Sequence, residues 1–333
     1  MLRVRPVVRY SKPSGIPITF WEPLMARTPD ELADCIVYLY PTVDEAQRGA
    51  TREEPGFGGT GFLVTVPVEG ADPPQGMLYV VTNSHVVGPE GQSCVIRLNT
   101  QAGGTEIIET DPDAWVHHGD GDDVAALPVG GLQPAHFRYQ SLGWETWPVT
   151  AEFIDEQRVG PGDEVVYLGR FRMQEGQRRN LPTTRSGIIA RMPLDEGVEH
   201  PRGFDQESFI IESHSISGYS GSPVFLYIPP FSWRGQLVAD QSIASNWHIK
   251  LIGIDWGHFP DLTRALGKDR KTPSQEERWV KQNSGLMMVV PSWRIDQLLR
   301  DDDRLKQQRQ AAYSALRQRQ SSATVVLDAE PSN

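Results

Sequence analysis

The sequence predicts an all-β protein with two antiparallel barrels or sandwiches, followed by a helix near its C-terminus. Short apolar runs rich in β-branched and aromatic residues recur along the chain, with turn-forming residues between them. The 31 glycines and 26 prolines supply the tight turns that many short strands require. Because no long helical pattern alternates with these runs, a parallel α/β sheet is not expected.

The first half of the chain carries six predicted strands. They are residues 34–40, 61–66, 78–82, 95–98, 107–108 and 123–127. The charged, Gly-rich segment 42–58 is predicted to be an exposed loop. From about 136 to 160 the apolar pattern weakens, which indicates a crossing between two halves.

A second set of strands follows, and then a helix. The strands are residues 164–169, 186–190, 208–211, 223–227, 250–254 and 286–291. Residues 292 to about 319 place Trp, Ile, Leu and Tyr at helical spacing, and Ser292 is a candidate N-cap. Residues 1–30 form an extension without a clear period, and the helix with a disordered tail occupies 301–333.

Composition narrows the class of protein and its compartment. The chain has 43 acidic and 32 basic residues and a net charge of −11, which argues against nucleic acid or an anionic membrane as partner. No apolar run approaches the roughly eighteen residues that span a bilayer, and the basic start lacks the apolar stretch of a secretory signal. Because the chain has only two cysteines, Cys35 and Cys94, a reducing compartment is favoured, although the sequence leaves open whether they form a disulfide bond. We expect a cytoplasmic protein.

Three local patterns carry chemistry. His85 follows an apolar strand, Asp123 leads into an apolar run, and Ser220 lies in the segment Gly-Tyr-Ser-Gly-Ser-Pro. Alone, each has an ordinary explanation as a strand-end histidine, a turn aspartate or a Gly-rich turn. Together they supply a hydroxyl nucleophile, an imidazole to activate it and a carboxylate to orient the imidazole. The N–H groups of Gly218 and Ser220 are the candidate oxyanion hole.

These patterns resemble the trypsin-like serine proteases, particularly the bacterial branch that includes the protease domain of the HtrA proteins. The resemblance covers roughly residues 33–296 and consists of six pieces in order: 58–62, 82–87, 123–127, 218–224, 253–257 and 286–295. It implies a peptidase domain over residues 31–300 made of two six-stranded barrels, at about 31–135 and 150–291.

The resemblance also implies a function. It predicts a serine endopeptidase that acts on a protein or peptide, with Ser220 as nucleophile, His85 as general base and Asp123 as the orienting carboxylate, and with no metal or cofactor. Tyr219 stands where the digestive branch has the aspartate of zymogen activation, so that route is not expected. The roughly 35 residues after the last predicted strand are too few for a PDZ module.

The substrate pocket follows from position relative to the nucleophile. The residues assigned to it by the resemblance are His214, Ile216, Ser217, Asp255, Trp256, Gly257 and Gly285. His214 stands near the pocket base, and no aspartate stands there to select Arg or Lys in the substrate. Whether His214 favours acidic or polar substrate side chains or is an ordinary surface histidine stays open. Asp255 stands where many members of the family have a small serine. Whether its carboxylate contacts the catalytic histidine or alters the pocket stays open.

The sequence leaves room for other functions and sites. A protease-fold protein used for binding or sensing, with little constitutive proteolysis, is the alternative function. An α/β-hydrolase fits poorly for two reasons. Ser222 stands at the position of the last glycine in the Gly-x-Ser-x-Gly elbow of that fold, and in that fold the acid and the histidine follow the serine in the chain. The C-terminal helix is a candidate oligomerisation surface. One loop carries residue types that can bind a metal, but their spacing matches no standard ligand pattern, which favours a solvated turn over a metal site. These residues are His117, His118, Asp111, Asp113, Asp120 and Asp122.

Overall fold

The structure is a computed structural model, and its described part is mostly β, in agreement with the predicted fold class. The described residues are 28–49, 56–72, 74–89, 92–193, 196–213, 218–228, 248–264 and 279–327. Nearly all of the N-terminal extension, and the last six residues of the predicted tail, lie outside these ranges.

The first half, called here the N-terminal unit, is one sheet. Its strands run in the order β5-β4-β1-β2-β3-β7-β6, and β8 adds in parallel to β2. The strands are β1 (Ile36–Tyr40), β2 (Gly59–Pro67), β3 (Gly76–Thr82), β4 (Val95–Asn99), β5 (Thr105–Glu109), β6 (Val116–His117), β7 (Ala125–Pro128) and β8 (Leu142–Gly143). The sheet has eight strands where six were predicted, because β6 and β8 are two residues long and leave no alternating pattern in the sequence.

The second half is a closed six-stranded barrel, as predicted, and is called here the C-terminal barrel. Its strand order is β10-β13-β16-β15-β14-β9. The six strands are β9 (Glu164–Gly169), β10 (Thr183–Arg191), β13 (Phe209–Glu212), β14 (Pro223–Ile228), β15 (His248–Arg264) and β16 (Trp279–Pro291). A separate hairpin of β11 (Val198–Glu199) and β12 (Asp205–Gln206) projects between β10 and β13.

Strand register brings two of the chemical patterns together. β3 ends at Thr82, which pairs with Ala125 at the start of β7. His85 follows β3 and Asp123 precedes β7, so the antiparallel pairing places both at one edge of the sheet. Ser220 lies three residues before β14, at the edge of the C-terminal barrel.

Short helices lie between the strands, and the first of the 3-10 turns includes residues 34 and 35, which were predicted to begin a strand. The helices are α1 (Val43–Arg48), α2 (Ser84–Val87), α3 (Ala151–Gln157) and two 3-10 turns (Asp30–Cys35 and Pro112–Ala114). The prediction of a loop over residues 42–58 is therefore wrong at α1. Thr42 caps this helix by accepting the N–H of Glu45, and burial of Ala46 anchors it.

The predicted C-terminal helix is two helices, α4 (Ser292–Asp301) and α5 (Asp303–Leu327), separated by the extended residue Asp302. The carboxylate of Asp302 accepts the N–H of Leu305 at 2.9 Å and so caps α5. The prediction that Ser292 caps α4 is wrong, because its hydroxyl donates to the carbonyl of Val149 instead. α5 also continues past residue 319 into the segment predicted to be a disordered tail.

The helix α5 packs on the N-terminal unit. Leu305 is fully buried. The guanidinium of Arg309 donates to the carbonyl of Leu299 at 2.6 Å and to the hydroxyl of Tyr79 on β3 at 3.2 Å. Oligomerisation through this helix stays a prediction. None of the described helices has the length and apolarity needed to cross a bilayer.

Candidate active site

His85 lies in the first turn of α2 and is held against Asp123. The Nδ1 atom of His85 lies 2.6 Å from Oδ2 of Asp123, and the backbone N–H of His85 donates to Oδ1 at 2.8 Å. The imidazole remains about a quarter exposed, whereas the carboxylate is fully buried. The other ring nitrogen, Nε2, is thereby left to act on a neighbouring group.

The backbone around Asp123 is fixed as firmly as its carboxylate. Its carbonyl accepts the side-chain N–H of Asn83 at 2.8 Å, and its N–H donates to Oε1 of Gln206 at 2.8 Å. Burial by itself would raise the pKa of Asp123. The charge of His85 and the hydrogen bonds from His200 and His85 outweigh burial and hold that pKa well below its usual range. Asp123 is therefore ionised at neutral pH.

The turn that carries Ser220 is shaped by glycine. Gly218 and Gly221 have φ values of 103° and 89°, which L-residues rarely adopt. Within the described part of the chain, no acceptor pairs with the N–H of Gly218 or Ser220. These two donors are the ones that the sequence assigned to the oxyanion hole.

Thr60 on β2 clamps this turn from the other half of the molecule. Its N–H donates to the carbonyl of Ser220 and its hydroxyl to the carbonyl of Gly218, each at 2.8 Å. The same hydroxyl accepts the N–H of Arg170 at 2.9 Å. One fully buried residue of the N-terminal unit thus positions the candidate nucleophile, a role that the sequence analysis missed because threonine in a strand is ordinary.

The hairpin β11–β12 brings a second histidine to Asp123. Nε2 of His200 lies 3.4 Å from Oδ2 of Asp123, and its side chain is 4% exposed. Gln206 lies on the same hairpin and, besides accepting from Asp123, donates to Oδ1 of Asp122 at 2.7 Å. Neither residue was predicted, since His200 follows one two-residue strand and Gln206 ends another, in a polar segment without a recognisable motif.

A family model for the trypsin-like peptidase domain matches residues 59–227, half of the chain. The chain belongs to the trypsin-like peptidases. The crystal structure of Rv3671c from M. tuberculosis H37Rv, a serine-to-alanine mutant in an inactive form, is similar over 85% of this chain and 96% of that chain, at 16% identity and a TM-score of 0.41. A comparison with curated proteins found no match. Family membership confirms the predicted resemblance to the trypsin-like proteases.

The peptidase has a cavity of about 530 Å³ at the candidate site. His85, Ser220 and Gly218 line it together. The remaining lining residues come from both halves of the molecule and from the hairpin: Phe57, Gly58, Arg172, Glu199, His200, Pro201, Arg202, Trp256, Gly257, His258, Phe259, Pro260 and Met288. A cleft between the two halves of a trypsin-like peptidase thus has room for a peptide segment.

Only some of the residues predicted to form the substrate pocket line the cavity. Trp256 and Gly257 line the cavity, and Gly285 is not among its described lining residues. Asp255 is fully buried, and its carboxylate accepts the N–H of Gly257 at 3.0 Å, while its backbone pairs with the nucleophile turn. His214, Ile216 and Ser217 lie outside the described residues.

One described cluster has metal-binding residue types. The donor atoms of His85, Asp123 and His200 lie within 4.8 Å of one another. The 2.6 Å separation of His85 and Asp123 is a hydrogen-bond distance, too short for two ligands that each lie about 2 Å from a tetrahedral zinc. In the loop considered above, His117 Nδ1 instead lies 2.9 Å from the hydroxyl of Ser84.

Proposed function

We propose that this trypsin-like peptidase is a serine endopeptidase that hydrolyses peptide bonds through an acyl-enzyme on Ser220. The observation that carries the proposal is the pairing of His85 with Asp123 through two hydrogen bonds, of 2.6 and 2.8 Å, at the wall of a cavity that Ser220 also lines. This arrangement leaves Nε2 of His85 as the base facing the cleft.

The proposed reaction uses His85 first as base and then as acid in each half-reaction. His85 takes the hydroxyl proton as Ser220 Oγ bonds to the scissile carbonyl carbon, and the N–H groups of Gly218 and Ser220 stabilise the resulting oxyanion. The intermediate collapses as the C–N bond breaks and His85 gives its proton to the leaving amine. Water then attacks the acyl carbon as His85 takes its proton; the ester C–O bond breaks, His85 returns that proton to Ser220 Oγ, and the acid is released. Asp123 stays ionised and stabilises the imidazolium.

Labelling by a fluorophosphonate tests the proposal, because the probe reacts with an activated serine. We expect labelling of the wild type and at least a thousandfold slower labelling of Ser220→Ala and His85→Ala. Ser222→Ala is a matched control two residues away. Its buried hydroxyl has no hydrogen-bond partner among the described residues, so the variant should label like the wild type. Equal labelling of the wild type and Ser220→Ala would refute the proposal.

One observation favours the alternative, a protease-fold protein used for binding or sensing. Within the described part of the chain, no hydrogen bond joins Ser220 to His85. A catalytic bond of this kind often forms only when substrate is seated. If a folded wild type is not labelled in the presence or absence of peptides, while peptides still bind the cleft in calorimetry, the binding function replaces the enzymatic one.

We propose a cytoplasmic location for the peptidase. Cys35 and Cys94 are both buried free thiols, and each lies against a backbone carbonyl, of Leu32 and Val87 respectively. Unpaired cysteines are typical of a reducing compartment. Cell fractionation with an antibody to the chain tests the location, and recovery outside the cytoplasmic fraction would contradict it.

A further inference from the structure

His200 is a buried histidine for which the reaction proposed above has no role. Its ring is stacked on Phe204, with centroids 4.5 Å apart and planes 16° apart, and lies against Trp256 at 4.7 Å. The hairpin turn is closed by the N–H of His200, which donates to the carbonyl of Phe204 at 2.7 Å. The ring is therefore held in one orientation, with its Nε2 edge 3.4 Å from Oδ2 of Asp123.

The hydrogen bond at the other ring nitrogen fixes where the proton lies. The backbone N–H of Arg202 donates to Nδ1 of His200 at 3.2 Å. A backbone amide can only donate, so Nδ1 must offer a lone pair and the ring proton of the neutral imidazole lies on Nε2. That proton faces the carboxylate of Asp123.

The donors to Asp123 come from both halves of the molecule. His85, on the N-terminal unit, supplies two hydrogen bonds to the carboxylate, one to each oxygen. From the β11–β12 hairpin, Nε2 of His200 approaches the carboxylate of Asp123, and Oε1 of Gln206 accepts the backbone N–H of Asp123. His200 thus adds a contact from the hairpin to Oδ2, the carboxylate oxygen that His85 Nδ1 also contacts.

We propose that His200 is a positioning residue of this peptidase, whose Nε2–H donates to Asp123 and holds the Asp123–His85 pair in register with Ser220. This inference rests on the proposed endopeptidase function. Although His200 lines the cavity, its proposed role is to act through Asp123. The contribution of its hydrogen bond to the low pKa of Asp123 agrees with this role.

Two isosteric replacements separate the hydrogen bond from the packing. His200→Gln keeps a side-chain N–H donor, and His200→Met has nearly the same shape without one; both lose the aromatic stacking equally. We expect His200→Met to lower the fluorophosphonate labelling rate, and kcat on an active ester, by about tenfold or more with KM within about twofold, as loss of a hydrogen bond to a charged group would. His200→Gln should stay within about threefold of the wild type.

The outcomes distinguish this inference from the function on which it rests. If the wild type is not labelled by the fluorophosphonate, the endopeptidase proposal is refuted. A labelled wild type with equal rates in the Gln and Met variants overturns the role of His200 and leaves the function standing. If His200→Met does not fold by near-ultraviolet circular dichroism, His200→Phe keeps the stacking without the donor, and wild-type labelling of that variant overturns the inference equally.

A spectroscopic signature does not depend on activity. The proton between His85 Nδ1 and Asp123 should give a downfield proton NMR signal that is visible because the pair is rigid. We expect this signal to persist in the Gln variant and to broaden or vanish in the Met variant. An unchanged signal in the Met variant would contradict the positioning role even in a protein without peptidase activity.

Discussion

The close contact behind the nucleophile turn makes Gly221→Ala a severe perturbation. A Cβ atom on Gly221 would lie 1.9 Å from the carbonyl oxygen of Thr60 and 2.4 Å from the hydroxyl of Thr82. Normal contact requires more than 3 Å, so the backbone of β2 or of the turn must move by more than an ångström. That movement disrupts two hydrogen bonds, from Thr60 N–H to the Ser220 carbonyl at 2.8 Å and from the Thr82 hydroxyl to the Thr60 carbonyl at 2.7 Å.

The magnitude follows from these terms. A positive φ costs an L-residue about 1–2 kcal/mol, and each lost hydrogen bond costs about 1 kcal/mol. With residual overlap added, we expect a loss of about 4 kcal/mol in the free energy of unfolding. Because the moved turn carries Ser220, the folded fraction should also label slowly with a fluorophosphonate.

Urea unfolding followed by tryptophan fluorescence measures the effect, and Gly103→Ala is the control. Gly103 has a φ of 84°, near the 89° of Gly221, but a Cβ there would meet nothing within 4 Å. This control should lose only about 1–2 kcal/mol. If the two variants are destabilised equally, within about 0.5 kcal/mol, the close approach between the two halves does not contribute and the reasoning fails.

Three further predictions concern buried charge. Asp123→Asn should lower kcat by about 10³–10⁴-fold in an ester assay, because the amide supports the wrong imidazole tautomer; a loss below tenfold would argue against the orienting role. Since the folded-state pKa of Asp123 lies below its unfolded value of about 3.9, its ionised form stabilises the fold above about pH 4, and the stability difference between wild type and Asp123→Asn should shrink as pH falls further. Glu175→Ala should lower the free energy of unfolding by about 3–5 kcal/mol, because it leaves the buried guanidinium of Arg170 unpaired. Asp44→Ala, which removes an exposed pair with Arg48, should change it by less than about 1 kcal/mol in the same urea titration, and equal effects would contradict the argument.

Local sequence pattern predicted a part of every described strand of four or more residues and the order of the chemical residues. The two longest strands, β15 (His248–Arg264) and β16 (Trp279–Pro291), extend well beyond their predicted segments, 250–254 and 286–291. β9 (Glu164–Gly169) has the predicted bounds, and β14 (Pro223–Ile228) extends its predicted segment by one residue. Such strands are apolar runs bounded by turn residues, a signal that each segment carries by itself. Elements of two residues, such as β6 and β11, carry no such period and were missed.

Pairing across the chain was decided only by the tertiary structure. The register of β3 with β7 brings His85 beside Asp123, and the packing of the two halves brings Thr60 against the turn of Ser220. No short-range pattern encodes the contact of His200 with Asp123, since it depends on a hairpin folding back over the other half of the molecule.

Residue types in a fixed order therefore predicted the family, the all-β class and the candidate triad. The tertiary structure decided which atoms meet Asp123 and which backbone groups hold the nucleophile turn. The physical reason is that hydrogen bonds of about 3 Å between residues far apart in the chain depend on strand register and packing, which the local order of residues does not specify.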